Sequence, residues 1–449
     1  MQVKKYIAVL IVAACAASAP QPSYSVEITV KDARTFTIQE AIRIAILNNK
    51  SVQIQEEELA YSKGNVLYAV SLFLPKVNLN YDFTYTEAVL DTKPAQGHRK
   101  DTRIFTGYKS DNRSGLTIDE MVYNGGANIA TFKQAKLQVK AQEESLRSTK
   151  LAVEFEVKRL FYGVLLAYET RRIAADLVEQ ARAHYEEAKQ MFAQGTASKF
   201  DVLQSKTQVA RLIPQLVNAE NAIELLLAEL KKELGTDMLK PIDVAGVLDH
   251  RPIKIDEDAF LKEAYSKSPE IIMKVLGIDI GKWAIEFAKS GWYPQVSANA
   301  NFNYRSDKFT DMINNTHGNW SIGVRTSIAA FDGFATKAKV DEAKARYNQA
   351  KLQELDTIDQ VTLDIKNACL NMAEAEAVVA AERDSIDEAK EALRLAEVRY
   401  VNGVGINLDV FDSQVALAQV EQYLAQGIYD YIVAKAQLDK TIGREFTGE

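Results

Sequence analysis

The chain repeats itself. Residues 36–235 and 244–443 pass through the same series of motifs in the same order. A helical stretch leads to Leu74-Pro75-Lys76-Val77 in the first copy and to Tyr293-Pro294-Gln295-Val296 in the second. An alternating strand, a loop and another strand follow, ending at Tyr123-Asn124-Gly125-Gly126 and at Phe331-Asp332-Gly333-Phe334. A very long helical stretch then reaches Phe192-Ala193-Gln194-Gly195 or Tyr400-Val401-Asn402-Gly403. A last helix begins at Asp201-Val202-Leu203 or Asp409-Val410-Phe411 and stops at Gly235 or Gly443. From the glycine turn onward the copies keep one offset of 208 residues without a gap. A duplicated unit of this kind constrains the fold more than any single residue.

The hydrophobic period changes within each copy. Ile38, Ala41, Ile42, Ala45 and Ile46 have helical spacing, and Thr37 with Glu40 forms a capping-box pattern, so residues 38–73 predict a helix ended by Pro75. Val77, Leu79, Tyr81, Phe83 and Tyr85 then alternate with Asn78, Asn80, Asp82 and Thr84, a strand with one apolar and one polar face. The strands are expected at about 76–86, 114–123, 295–305 and 319–330, with a polar loop over 87–112. Residues 127–193 lack proline, contain the single glycine Gly163 and are rich in strong helix formers. A helix of that length spans about 100 Å at 1.5 Å per residue, so it must pack lengthwise against other helices as in a coiled coil. Residues 335–401 match it in length. Gly195 suits a helix end, Ser198 suits the next N-cap, and Pro214 is expected to kink the return helix. The units are placed at 36–235 and 258–443, with 236–257 as a linker and 444–449 as a tail.

Composition removes several classes of function. Charged residues make up 26% and the net charge is −7, which argues against a nucleic-acid binder with its clustered basic face. No run in the mature chain reaches the roughly 18 apolar residues of a membrane-spanning helix, a test that a β-barrel escapes. Lys4-Lys5 followed by the short apolar run Tyr6–Ala14 read as an export leader over residues 1–25. Cleavage fits Ser23-Tyr24-Ser25; Val12-Ala13-Ala14-Cys15 also resembles a bacterial lipobox, in which Cys15 would be acylated. Cys369 then has no partner for a disulfide and is expected as a small packed residue. His98, His184, His250 and His317 show no metal-ligand spacing, and Gly277-Ile278-Asp279-Ile280-Gly281-Lys282 misses the phosphate-loop pattern because Trp283 follows the lysine. No enzyme, cofactor or metal is expected.

Strands of about ten residues with one apolar face suit a tilted crossing of a bilayer. Four strands cannot close a barrel, since small barrels need about eight. Either they form a small soluble sheet, or several chains share one barrel. The long helices favour sharing, because a 100 Å hairpin needs lateral neighbours.

Taken in this order and twice over, these motifs resemble the TolC-like family of bacterial outer-membrane efflux proteins. The carrying features are the Pro75 and Pro294 junctions, the Tyr123-Asn124-Gly125-Gly126 and Phe331-Asp332-Gly333 turns, and the segment Tyr400-Val401-Asn402-Gly403 with Leu408-Asp409-Val410-Phe411-Asp412. The resemblance spans nearly all of the mature chain. It implies a mainly α fold with β: long antiparallel coiled-coil helices plus four strands per chain. It further implies a homotrimer whose twelve-stranded barrel in outer-membrane lipid continues into an α-helical tunnel across the periplasm. Such a duct would serve a tripartite efflux pump or a type I secretion system. Its partners would be a periplasmic adaptor and an inner-membrane transporter of the RND, ABC or MFS type. The alternative is a soluble periplasmic coiled-coil scaffold or adaptor without a barrel.

The resemblance also implies a gate. The family's acidic constriction falls on Asp409 and Asp412, whose i, i+3 spacing places them on one helix face, so a trimer would gather six carboxylates. Such a ring attracts cations, as acidic rings do in cation-selective pores. The competing reading is a carboxylate that merely favours a helix start. A polar link that holds the family's closed state maps onto Tyr400 and Asp201. A second link uses a basic residue, where this chain has Gly405 opposite Phe200. The turns at Gly195 and Gly403 are candidate adaptor-docking tips, or simply the tight turns that any helical hairpin needs.

Overall fold

The computed structural model describes residues 34–85, 110–309 and 318–445. The leader with Cys15, most of the loop expected at 87–112 and the last four residues lie outside them. The elements run β1 (Arg34–Phe36), α1 (Ile38–Asn48), α2 (Lys50–Ser71), β2 (Lys76–Tyr85), β3 (Ser110–Asn124), α3 (Ala127–Ala193) and α4 (Lys199–Glu233). There follow β4 (Ile242–Val244), α5 (Glu257–Lys267), α6 (Pro269–Lys289), a 3-10 turn at Ser290–Trp292, β5 (Gln295–Ser306), β6 (Gly318–Ser327), α7 (Ala335–Val401) and α8 (Asn407–Ile442). The helices α3 and α7 are each 67 residues long, about 100 Å.

Two local expectations change. The helix expected over 38–73 is two helices. Asn49 adopts an extended conformation, caps α2 by accepting from the Ser51 amide, and donates to Glu233 at the far end of α4. A side chain that competes for backbone groups breaks the helix where the periodicity alone would carry it on. The linker 236–257 contains β4, which pairs in parallel with β1. Pro214 lies inside α4, which is a single element through it.

The four longer strands form one sheet in the order β2-β3-β5-β6, with every neighbouring pair antiparallel. The register aligns like with like. Val77, Ile118, Ala300 and Ile322 share one row, and Leu79, Leu116, Phe302 and Trp320 share the next. On the opposite face Asn78, Thr117, Asn301 and Ser321 stand in a row, as do Asn80, Gly115, Asn303 and Asn319. A one-residue slip would mix the two sets, so the alternation itself fixes the register. The irregularity between Met121 and Tyr123 lies where the sheet gives way to helix.

The helices pack side by side, as α2-α3-α6-α7 near the sheet and α4-α3-α8-α7 toward the tips. Two cores sit midway along this layer. Phe36, Ile42, Val52, Phe161, Leu230 and Leu234 fill one; Phe260, Ile365, Met372, Tyr431 and Leu438 fill the other, with Cys369 buried among them. Gly235 ends α4 against α1: at its positive φ of 63°, a Cβ would lie 2.3 Å from the Asn48 carbonyl oxygen. Gly443 ends α8 at φ 86° in the same manner, 2.5 Å from the Lys267 carbonyl oxygen. Gly195 and Gly403, at φ 79° and 74°, face open space. We therefore expect Gly235→Ala to cost about 3 kcal/mol, backbone strain plus a clash with a carbonyl. Gly195→Ala should cost about 1 kcal/mol from the backbone alone. Thermal unfolding in detergent followed by far-UV circular dichroism measures both, and equal losses would reject the distinction.

Candidate functional site at the helical tips

Each long helix ends in a glycine turn that sends the chain back as α4 or α8, and the two turns are built differently. After Gly195, the Thr196 and Ala197 amides return to the Met191 carbonyl. Ser198 then caps α4 in a reciprocal box: its Oγ accepts from the Asp201 amide, and the Asp201 carboxylate accepts from the Ser198 amide (3.0 Å) and hydroxyl (2.7 Å). After Gly403, the Val404 and Gly405 amides return to the Arg399 carbonyl. The N-cap of α8 is Ile406, which has no side-chain oxygen to offer.

This difference sorts the two equivalent acids. Asp201 is engaged by its cap through Oδ2. Asp409 stands at the corresponding third position of α8, without a hydroxyl to bind. It is half-buried, and Asp412 is exposed one turn on. Neither carboxylate takes part in an ion pair among the described residues. The structure thus leaves free the two acids that the sequence singles out, and it puts them in the first turns of one helix.

The expected Tyr400–Asp201 hydrogen bond is not formed within the protomer. Tyr400 is 5% exposed, and its phenol oxygen is buried without a hydrogen-bond partner among the described residues. The Ser198 amide and hydroxyl both bond a single oxygen of the Asp201 carboxylate, Oδ2. Burial pushes the Tyr400 phenol above its ordinary range, and the nearby Asp201 carboxylate adds to the rise. Gly405 stands where the resemblance places a basic residue. It sits so close over the preceding turn that a Cβ would lie 3.0 Å from both Arg399 Cβ and the Tyr400 nitrogen.

What joins the tips instead is His184 of α3, which is 4% exposed and whose spacing in the sequence carries no motif. Its ring centre lies 4.8 Å from that of Tyr400, tilted against it, and meets Phe411 edge-on at 5.1 Å. Its Nε2 bonds Asn407 Oδ1, and its Nδ1 is 3.6 Å from a Glu187 carboxylate oxygen. Asn407 is itself buried and reaches across to α4. Beside them a cleft of 570 Å³ is lined by Glu187, Glu397, Val401 and Gln414. Burial, reinforced by the Glu187 charge, raises the Glu397 carboxyl above the usual carboxylate range. A lone histidine in a long helix carries no signal until the fold brings Asn407 to it, 223 residues away in sequence.

At the far end, the sheet exposes its apolar rows. Leu79 is 80% exposed, Trp320 74% and Ile322 73%. Tyr123, Trp292, Tyr293, Phe331 and Phe334 are exposed where sheet meets helix, and Tyr85 and Phe309 at the opposite rim. Ten residues tilted about 40° rise about 25 Å, the height of the apolar band on outer-membrane barrels, which aromatic girdles flank. No helix among the described residues is long and apolar enough to cross a membrane.

Residues 41–236 and 260–444 match the profile of a family described as outer membrane efflux protein. The chain belongs to this family. It is 19% identical over 415 residues to the alkaline protease secretion protein AprF of Pseudomonas aeruginosa, covering 91% of this chain and 84% of that protein. It is 25% identical over 425 residues to the outer membrane efflux protein BepC of Brucella suis, covering 93% and 87%. The Campylobacter jejuni CmeC outer membrane channel shares its fold, with a TM-score of 0.81 at 16% identity over 95% of this chain and 93% of that one. The protein is therefore an outer-membrane efflux channel that extends into the periplasm, and the soluble-scaffold alternative falls.

Proposed function

We propose that three copies of the chain close a twelve-stranded barrel and a continuous helical tunnel, the exit duct of a tripartite efflux pump or a type I secretion system. One observation carries the reading. The sheet has an exposed apolar face, a polar face and, among the described residues, both edges open, at β2 and at β6. An open edge in lipid leaves each amide unpaired at a cost of several kcal/mol, and only closure through neighbouring copies removes it. The polar face then lines water, and the helix layer continues the wall. The internal duplication gives each protomer two hairpins, so six hairpin tips would ring the periplasmic end.

Asp409 and Asp412 form the constriction in this reading, and the turns at Gly195 and Gly403 are the docking points for a periplasmic adaptor. An inner-membrane transporter of the RND, ABC or MFS type would complete the assembly. Residues 1–25 are the export leader, with Cys15 the acylated first residue if cleavage falls before it. The names of AprF and BepC, a protease secretion protein and an efflux protein, support polypeptides and small molecules alike as passengers. The test is extraction from outer membranes. We expect a detergent-requiring trimer that dissociates only on heating and conducts in planar bilayers. A monodisperse monomer without conductance would reject the proposal.

A further inference from the structure

We propose that the membrane-proximal ends of α3 and α7 form a basic collar that holds the phosphate groups of anionic phospholipids in the periplasmic leaflet of the outer membrane. The collar rests on the reading of the sheet as a lipid-facing barrel. Charge along the two long helices is segregated by depth. Residues 127–140 of α3 hold three lysines and no acid, whereas residues 141–193 hold eight bases and nine acids. Residues 335–351 of α7 hold five bases and two acids; residues 352–401 hold five bases and twelve acids. A solvated helix face mixes both signs along its whole length, as the lower part of α3 does. The chain carries a net charge of −7, yet each of these two membrane-proximal segments has an excess of three positive charges.

The place of this charge decides what it meets. α7 starts at Ala335, directly after the exposed aromatic residues Phe331 and Phe334, and α3 starts shortly after Tyr123. At 1.5 Å per residue, Lys337 and Lys339 lie about 3–6 Å beyond the helix start, and Lys133 and Lys136 about 9–14 Å. Both helices run away from the sheet, and helical side chains lean toward the N-terminus, so these lysines reach back toward the membrane. Lys136 shows the direction: its Nζ lies 4.6 Å from the ring centre of Phe132, one turn nearer the sheet. Lys133 Nζ stands 6.0 Å from the ring centre of Trp283. Lys133, Lys136, Lys140, Lys337, Lys339 and Lys344 are exposed and make no ion pair among the described residues. Lys282 and Lys289 of α6, by contrast, pair with Asp279 and Glu286, each at 2.7 Å. The two copies reach the same charge through different residues. At the 208-residue offset Lys133 corresponds to Asp341, Lys337 to Ile129 and Lys339 to Thr131. What the copies share is positive charge at one depth below the aromatic girdle. An anionic lipid surface attracts lysines that stand within a Debye length, about 8 Å, of its headgroups.

The test reconstitutes the full trimer in vesicles of phosphatidylcholine and phosphatidylglycerol, with brominated acyl chains on one lipid or the other. Quenching of Trp283, Trp292 and Trp320 reports which lipid sits against the protein. At low salt phosphatidylglycerol should be preferred about fivefold, the factor for one lysine at an anionic headgroup. In about 0.5 M salt the preference should fall below about twofold, because exposed charges are screened. Lys133→Gln, Lys136→Gln, Lys337→Gln and Lys339→Gln combined should remove it at low salt as well. Arginine at the same four positions should keep it. Lys366→Gln with Lys390→Gln, in the acidic part of α7, should leave it unchanged. Heat-resistant trimer on gels is the folding control; should the glutamine variant not assemble, the salt dependence of the parent and of the arginine variant decides. Equal quenching by the two lipids in the parent at low salt, or a preference that survives the four glutamines, would overturn the collar. So would loss, in the glutamine variant, of binding to isolated peptidoglycan or of ion preference in planar bilayers while the lipid preference stays. If neither brominated lipid quenches the parent, the barrel reading fails instead.

Discussion

Ile322→Arg empties the outer membrane of channels, whereas Asn301→Arg leaves them in place; this is the largest effect we expect from a single substitution. The two residues lie on neighbouring strands in adjacent rows. Ile322 pairs with Ala300 and Asn301 with Ser321, so their side chains point to opposite faces. Ile322 sits halfway along β6, in the middle of the exposed apolar band. An arginine facing lipid at mid-depth costs about 2–4 kcal/mol, and a trimer carries the cost three times, a total near 10 kcal/mol. That is comparable to the whole stability of an ordinary domain. On the proposed barrel Asn301 faces the polar interior, where an arginine stays hydrated. Heat-modifiable trimer in isolated outer membranes is the measurement, and equal yields for the two variants would mean that the apolar rows do not face lipid.

The two faces are legible in the sequence because a strand reports its environment with a period of two. Four segments with the same alternation can align in only one parity. The long helices are equally plain, since nothing between 127 and 193 can stop them. Other features are hidden in the sequence because they depend on contacts between distant segments. Asn49 ends a helix only because it also reaches Glu233, and β4 is a strand only because β1 lies alongside it. The tip shows the same division. Spacing and resemblance are enough to pick out Asp409 and Asp412. That His184 faces Asn407 emerges only when the hairpins are brought together. Sequence resemblance points to the tip, and the hydrogen bond it implies between Tyr400 and Asp201 is not made within the protomer.

The acidic constriction is decided by comparing equivalent carboxylates. Asp409→Asn combined with Asp412→Asn removes two charges per chain, or six around a three-fold axis, from side chains that make no ion pair among the described residues of the protomer. If these acids act only on the local helix, their loss costs less than about 1 kcal/mol through the helix dipole and leaves the current unchanged. If they face one another across the bore, each acts on any ion that passes. A single charge pair at contact distance in water is worth about 1 kcal/mol, about fivefold in occupancy. A divalent blocker that meets two or three carboxylates should then lose roughly ten- to hundredfold in affinity, and the preference for cations over anions should fall toward none. Asp201→Asn is the control, because it occupies the same position in the other hairpin. It should cost about 1 kcal/mol of helix capping with ion preference unchanged. Single-channel recordings in asymmetric salt read both quantities. Parental selectivity and parental block in the double variant would remove the carboxylates from the conduction path and leave them as a helix-start feature. A selective change in Asp201→Asn instead would place the acidic ring on the wrong hairpin.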